Sequence, residues 1–375
     1  FFPFAGKLPP CSAHWTALLT SLSKDRLWSA RFIRQRLSGK QSNRMNAVTT
    51  NLCNGHLARL HSRESNIVSI DGGEFDYINW IRAQTRDHDA VPIGIGDDAA
   101  AVRFPSADDC LVAVDMLMEG THFTIPAASA EQIGRKALAV NLSDIAAMAG
   151  RPRFALVSVA LNRQHGSEFA QQLFVGLEHL ADEFDVTLIG GDTNIWDGPF
   201  VVSVTIMGEE TGSGPVARSG AKAGDWILAT GRFGGSLNGK HFTFQPRVRE
   251  ALELHQTVSL HAMIDVSDGL AADLLHILDE SNVGAVLNAD AVPISGAAQS
   301  ADDGRSPLVH ALADGEDFEL LFTVAADDGR RLIDSPPVAV ELTKIGEIVE
   351  QKTRVLIDAA GQRLPLTRTG WEHSF

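Results

Sequence analysis

Between residues 93 and 342 the chain alternates short apolar runs with longer runs of helical period, and several of the short runs finish in Gly or Asp. Leu111–Val114 runs into Asp115, Val186–Ile189 into Gly190-Gly191-Asp192, and His261–Ile264 into Asp265. Between them, Glu131–Met148 is rich in Ala and Leu and is stopped by Gly150 and Pro152, which predicts a helix. In Ser167–Phe184, residues Phe169, Leu173, Leu177, Leu180 and Phe184 recur at steps of three and four, the stripe of an amphipathic helix. Phe154–Leu161, Phe200–Met207, Trp226–Thr230, Phe318–Val324 and Val338–Leu342 read as strands, Glu74–Ala83 and Gly269–Leu278 as helices. Strands alternating with helices throughout predict an α/β (or α+β) protein with mixed sheets and flanking helices.

A cluster of turn residues, Gly212-Ser213-Gly214-Pro215, divides this pattern in two. The expected organisation is a basic extension over 1–70, one domain over 71–212 and a second over 213–375. The extension is set apart by charge. It holds ten of the 32 Lys and Arg but two of the 47 acids, about +8, which leaves −23 for residues 71–375. Three readings of it stand: an Arg- and Ser-rich targeting segment, a basic arm, or translation from upstream of Met45. No catalytic residue is expected there. The acidic remainder argues against nucleic acid as a partner. No apolar run approaches the roughly 18–20 residues that span a bilayer. Three cysteines without a C-x-x-C pattern fit a reducing compartment, so a soluble cytoplasmic protein is expected.

The acids that end apolar runs carry the chemical signal. Asp98 follows Ile93-Gly94-Ile95-Gly96-Asp97, Asp115, Asp192 and Asp265 follow the runs above, Asp268 precedes a helix, and Asp144 lies late in one. One such Asp ordinarily caps a helix or shapes a turn. Six together would repel and resist ionisation unless cations join them. Oxygen ligands without His or Cys clusters favour Mg²⁺, which is usually shared with substrate phosphates. Asp97, Asp273 and Asp290 are read as structural. Gly234 to His241 falls one residue short of a phosphate-binding loop, since His241 stands where a Ser or Thr hydroxyl is needed, and is read as an ordinary glycine-rich loop.

Six motifs in order resemble the thiamine-monophosphate kinases: Gly94–Asp98, Lys136–Met148, Leu188–Thr193, Arg218–Asp225, Ile264–Leu270 and Gly315–Leu320. The resemblance runs from about Gly73 to His373. It implies a fold like that of aminoimidazole ribonucleotide synthetase and a homodimer formed through the sheet of the N-terminal domain. It implies ATP as co-substrate, several Mg²⁺ ions, and phosphoryl transfer to thiamine monophosphate. By motif, it makes Asp98, Asp115, Asp144, Asp192, Asp265 and Asp268 metal ligands. Gly191, Asp192, Arg218 and Ser267 become nucleotide contacts, with Asp192 and Arg218 catalytic, and His122, Glu316 and Trp371 substrate contacts. Two departures stand out. Ala113-Val114 replaces a usual Ser/Thr pair, and Asp314-Gly315 replaces Gly-Gly. The rivals are a selenophosphate- or amidine-forming synthetase of the same superfamily and a non-catalytic nucleotide-binding homologue. The selenophosphate enzymes use a reactive cysteine, whereas Cys110 is expected in a loop between strands.

Overall fold

The structure, a computed structural model, describes residues 109–371 except Ser213, and before them residues 92–93, 97 and 100–103. The expected helix at 74–83, Asp98, Gly94, Gly96 and the basic segment 1–70 lie outside the described residues. Among the described residues, no helix is long and apolar enough to cross a membrane.

Two mixed sheets organise the chain. The first holds β1 (Ala100–Arg103), β2 (Asp109–Met118), β3 (Arg151–Asn162), β4 (Thr187–Trp196) and β5 (Val201–Glu209), in the order β1-β2-β5-β3-β4. Helices α1 (Ala130–Ala147) and α2 (Gly166–Glu183) cover one of its faces. The second holds β6 (Trp226–Thr230), β7 (Leu260–Asp265), β8 (Gly284–Asn288), β9 (Leu320–Val324), β10 (Leu342–Val349), β11 (Arg354–Ile357) and β12 (Arg363–Pro365), in the order β12-β11-β8-β10-β6-β9-β7. Helices α3 (Val248–Thr257) and α4 (Leu270–Ser281) flank it.

Helix α1 starts with a complete capping box. Ser129 Oγ accepts from Gln132 N, and Gln132 Oε1 accepts from Ser129 N, which satisfies two otherwise orphaned amides. Its Ala- and Leu-rich sequence is buried almost all round, as expected of a helix packed from several sides. The centre of the second sheet is buried on both faces. Leu228, Met263, Leu320 and Phe322 join the core that also contains Leu138 and Leu142 of α1. Ile227, Ala229, Ile264 and Leu321 pack with Leu270 and Leu274 of α4. The two sheets are therefore joined through one continuous core around α1.

Three expectations need correction. Asp115 and Asp192 do not follow their strands; they lie inside β2 and β4. Strand β4 runs on through Gly190-Gly191 because β3 pairs it along its length, with a register shift at Ala155/Leu156. Glycine is required at 191, since a Cβ there would stand 1.7 Å from Val157 O. Val338–Leu342 is not a strand: the chain bends through 337–340, and the strand begins at Leu342. The Pro336-Pro337 pair supplies no N–H for a ladder, and Val338 is instead buried as loop. Cys110 lies in β2, not in a loop.

Helices α1 and α2 cross at reciprocal glycines. A Cβ on Gly176 would come 2.0 Å from Glu131 O, and one on Gly134 would come 2.0 Å from Leu173 O. Backbone contact this close leaves no room for a methyl group. Gly176→Ala should therefore destabilise the fold by about 1–3 kcal/mol, as overpacking does. A urea unfolding midpoint equal to that of the wild type would contradict this account of the crossing.

Candidate active site

A cleft of about 390 Å³ opens between the two sheets. Val114, Asp115, Met116 and Leu117 of β2, Thr121 and His122 of the following turn, and Val140 and Asp144 of α1 form one wall. Arg218, Leu237, Asp265, Ser267, Asp268, Asp314, Glu316, Phe318 and Trp371 form the other, and Asp97 also lines it.

Helix α1 reaches each wall through a different polar side chain. Asn141, fully buried, accepts the Asp115 N–H through Oδ1 at 3.1 Å and donates to Ala137 O. Ser143 Oγ donates to Asp265 Oδ2 at 2.5 Å, across 122 residues of sequence. Lys136, with no exposed side-chain surface, puts Nζ 2.9 and 2.7 Å from the two Glu316 oxygens and 2.9 Å from His122 O. Burial pushes the Lys136 ammonium below the ordinary lysine range, and the Glu316 carboxylate pulls it back up. The i, i+5 and i+7 spacing of Lys136, Asn141 and Ser143 thus serves four neighbours: Glu316, His122, Asp115 and Asp265.

The opposite wall is tied to itself by backbone. Val266 N donates to Glu319 O, Phe318 N to Val266 O, and Glu316 N to Ser267 O. Trp371 N donates to Asp268 O, which brings the tail of the described chain to the cleft. Glu316 and Phe318 have φ of +53° and +50°, a left-handed conformation that costs an ordinary residue roughly 1–2 kcal/mol. Such strain in a cleft marks a functional loop. At the start of α4, Asp273 Oδ2 accepts from Asp268 N and Gly269 N. Burial holds its carboxyl well above the carboxylate range, with Asp268 and Asp265 adding repulsion. His276 brings a ring nitrogen into the same group, where the ligand atoms of Asp268, Asp273 and His276 lie within 4.8 Å of one another. Burial, reinforced by Arg218 and Arg368, pushes that imidazole down to about 3, so it is neutral near pH 7.

The glycine-rich loop is not a phosphate cradle. Gly234 N donates to both Asp317 oxygens, Gly235 N to Asp314 Oδ2, and Lys240 Nζ to Glu319 Oε1 at 3.2 Å. The groups that would hold a phosphate are thus engaged inside the protein. Asp317 also accepts from Ser236 Oγ, and its burial pushes its carboxyl up to about 6. Asp314, the departure from Gly-Gly, anchors this loop and accepts from Arg305 and His310. The other departure leaves Val114 on the cleft wall with a largely exposed isopropyl group and no hydroxyl.

Of the residues singled out in the sequence, the cleft brings together Asp115, Asp144, Asp265, Asp268, Arg218, Ser267, His122, Glu316 and Trp371. Asp98 lies outside the described residues, but its neighbour Asp97, read as structural, lines the cleft and accepts the Arg218 N–H. Gly191 and Asp192 stand elsewhere. Asp192 shares a register row with Ser158, Ser203 and Met116, three strand spacings or about 14 Å from β2. It belongs to the sheet face opposite α1 and α2, where Asn194 Nδ2 donates to it at 2.7 Å. That face exposes Val114, Met116, Met118, Phe154, Leu156 and Trp196. The sequence reading missed Lys136, Asn141 and Ser143 as individual contacts, although all three stand in one quoted motif.

Comparison with known proteins agrees with this geometry. Residues 96–209 match the model of the AIR synthase related protein, N-terminal domain, and residues 214–358 that of the C-terminal domain. The chain is 41% identical to the thiamine-monophosphate kinase of Rhodopirellula baltica over 74% of its own length and 89% of that protein's. It is 34% identical to that of Bacillus subtilis, covering 80% and 99%. A solved chain described as "AaThiL complexed with AMPPCP and TMP" superposes with a TM-score of 0.71 at 26% identity, over 82% of this chain and 100% of that one. By these likenesses the chain belongs to the AIR synthase related proteins and, among them, to the thiamine-monophosphate kinase family.

Proposed function

We propose that this protein transfers the γ-phosphoryl group of ATP to the phosphate of thiamine monophosphate, giving thiamine diphosphate and ADP. The observation that carries the reading is the convergence of Asp115, Asp144, Asp265 and Asp268 from both sheets on one cleft with Arg218, His122, Glu316 and Trp371. Its relatives bear the kinase name, and one solved relative holds AMPPCP and TMP together.

The donor set fits Mg²⁺. Among the described lining residues the acids outnumber the cations, and the acids offer hard oxygen ligands. Asp115, Asp144, Asp265 and Asp268, with Asp98, would hold the ions. Bound there, they would neutralise charge on the transferring phosphoryl group. The protein's own task is to bring two polyanions into line. Arg218 supplies a guanidinium for phosphate oxygens, and Ser267 stands beside Asp268 to meet the nucleotide. The acceptor phosphate, with a second pKa of about 6, is largely deprotonated at pH 7, so no side-chain base is required. His122 accepts the Met118 N–H at Nδ1, which fixes its proton on Nε2. Glu316 is already neutralised by Lys136, so it serves as a hydrogen-bond acceptor, and the Trp371 ring is the better partner for the thiazolium cation.

Asp192 enters as a ligand from a second copy. In its own chain two strands, β5 and β3, separate it from Asp115, and it lies on the other face of the sheet. The exposed apolar side chains around it fit a homodimer formed sheet to sheet. Of the rivals, the selenophosphate enzymes need an activated cysteine. Burial and Glu209 push the Cys110 thiol up, the opposite of activation. We place the protein in the cytoplasm, where ATP is available and its cysteines stay reduced.

A coupled assay for ADP release tests the reaction. Release should require thiamine monophosphate and Mg²⁺ together, and Asp265→Asn should lower it by at least about 100-fold. ADP release at an equal rate without thiamine monophosphate would contradict the assignment. The composite site is tested by mixing Asp192→Asn with Asp265→Asn after dissociation and reassociation. Half the dimers would be mixed, each with one intact site, so about a quarter of wild-type turnover should return. No recovery would place Asp192 outside a shared site.

A further inference from the structure

We infer that Lys136 is a positioning residue that sets two acceptor contacts at once, holding the Glu316 carboxylate and the His122 backbone against each other across the cleft. The inference rests on the reading above only in naming His122 and Glu316 as acceptor contacts. The geometry stands by itself. An ammonium has three N–H donors. Here they meet Glu316 Oε1 at 2.9 Å, Glu316 Oε2 at 2.7 Å and His122 O at 2.9 Å. The Phe242 ring centroid lies 5.4 Å from Nζ, an apolar and π-rich lid over the charge. The side chain has no exposed surface, whereas Glu316 retains 21%. The pair is thus closed on the lysine side and open on the glutamate side, where the cleft lies.

A buried lysine paired with one carboxylate is commonly a structural ion pair. Three observations argue for more. Its partner sits at φ +53°, a backbone conformation that this loop must be held in. The same nitrogen fixes the turn that carries His122, 14 residues before it, and reaches Glu316, 180 residues after it. The carboxylate oxygens keep second lone pairs, so the ammonium orients Glu316 without exhausting it. Neighbouring Arg135 fastens the same region by donating to Phe242 O and Phe244 O, which holds the Phe242 lid in place.

Lys136→Met is the test, with Lys136→Met/Glu316→Gln as a second variant that leaves no unpaired buried charge and keeps the protein foldable. Two measurements are made on each. Hydrogen exchange of the 119–123 amides should accelerate by about tenfold or more in both variants, with the β5 amides unchanged, because the turn has lost its anchor. In the coupled assay, Lys136→Met should raise KM for thiamine monophosphate by about tenfold or more while KM for ATP stays within about twofold. A structural pair alone would lower the melting temperature and leave both KM values in place. Wild-type protection of 119–123 in the folded variants, or an unchanged acceptor KM, would overturn the inference. Should the wild type fail to turn over thiamine monophosphate, the acceptor reading falls, and the exchange measurement still decides whether Lys136 pins the turn.

Discussion

Helix α1 is buried nearly all round, yet it carries a lysine, an asparagine, a serine and an aspartate between positions 136 and 144. Buried polar groups are costly unless each finds a partner. Here Lys136, Asn141 and Ser143 each meet a part of the cleft: Glu316 and the His122 turn for Lys136, the Asp115 amide for Asn141, the Asp265 carboxylate for Ser143. The cleft therefore takes its shape from the satisfaction of one helix. Moving either sheet relative to α1 would strand a buried ammonium, amide or hydroxyl. The core shared by the two sheets around α1 resists the same movement.

This arrangement answers the electrostatic problem of the site. Carboxylates from two sheets face a shared space, and each would resist ionisation beside the others. Some of the charge is dealt with inside the protein: Glu316 by Lys136, Asp314 by Arg305 and His310, Asp97 by the Arg218 amide. Asp115, Asp144, Asp265 and Asp268, the set read as metal ligands, line the same space. A rigid acidic cleft of this kind suits the joining of two phosphorylated molecules, where little covalent chemistry falls to the protein and most of the work is charge placement.

Much of the fold was legible locally. The helices α1 and α2, the strands that flank them and β6 follow from period, capping and Gly or Pro stops. The failures were of two kinds. Strand ends were read from the end of apolar runs, but pairing with a neighbour carried β2 past Asp115 and β4 past Asp192. Val338–Leu342 had strand composition but follows two prolines, and its apolar side chains serve the core as loop. The cleft acids were visible because Asp after an apolar run is a local signal. The Lys136–Glu316 and Ser143–Asp265 contacts span 180 and 122 residues, and no local pattern marks a partner so distant. The face on which Asp192 stands depends on register and on the shift at Ala155/Leu156, again a property of the pairing.

The proposed phosphoryl transfer depends on where divalent ions sit. Crystals grown with Mn²⁺, thiamine monophosphate and a non-hydrolysable ATP analogue, with data collected for manganese anomalous scattering, locate them directly. Peaks within coordination distance, about 2.0–2.2 Å, of the Asp144 and Asp265 carboxylates, with phosphates of both ligands around them, are the expected result. Manganese bound away from these carboxylates, or both ligands seated outside the cleft, would contradict it.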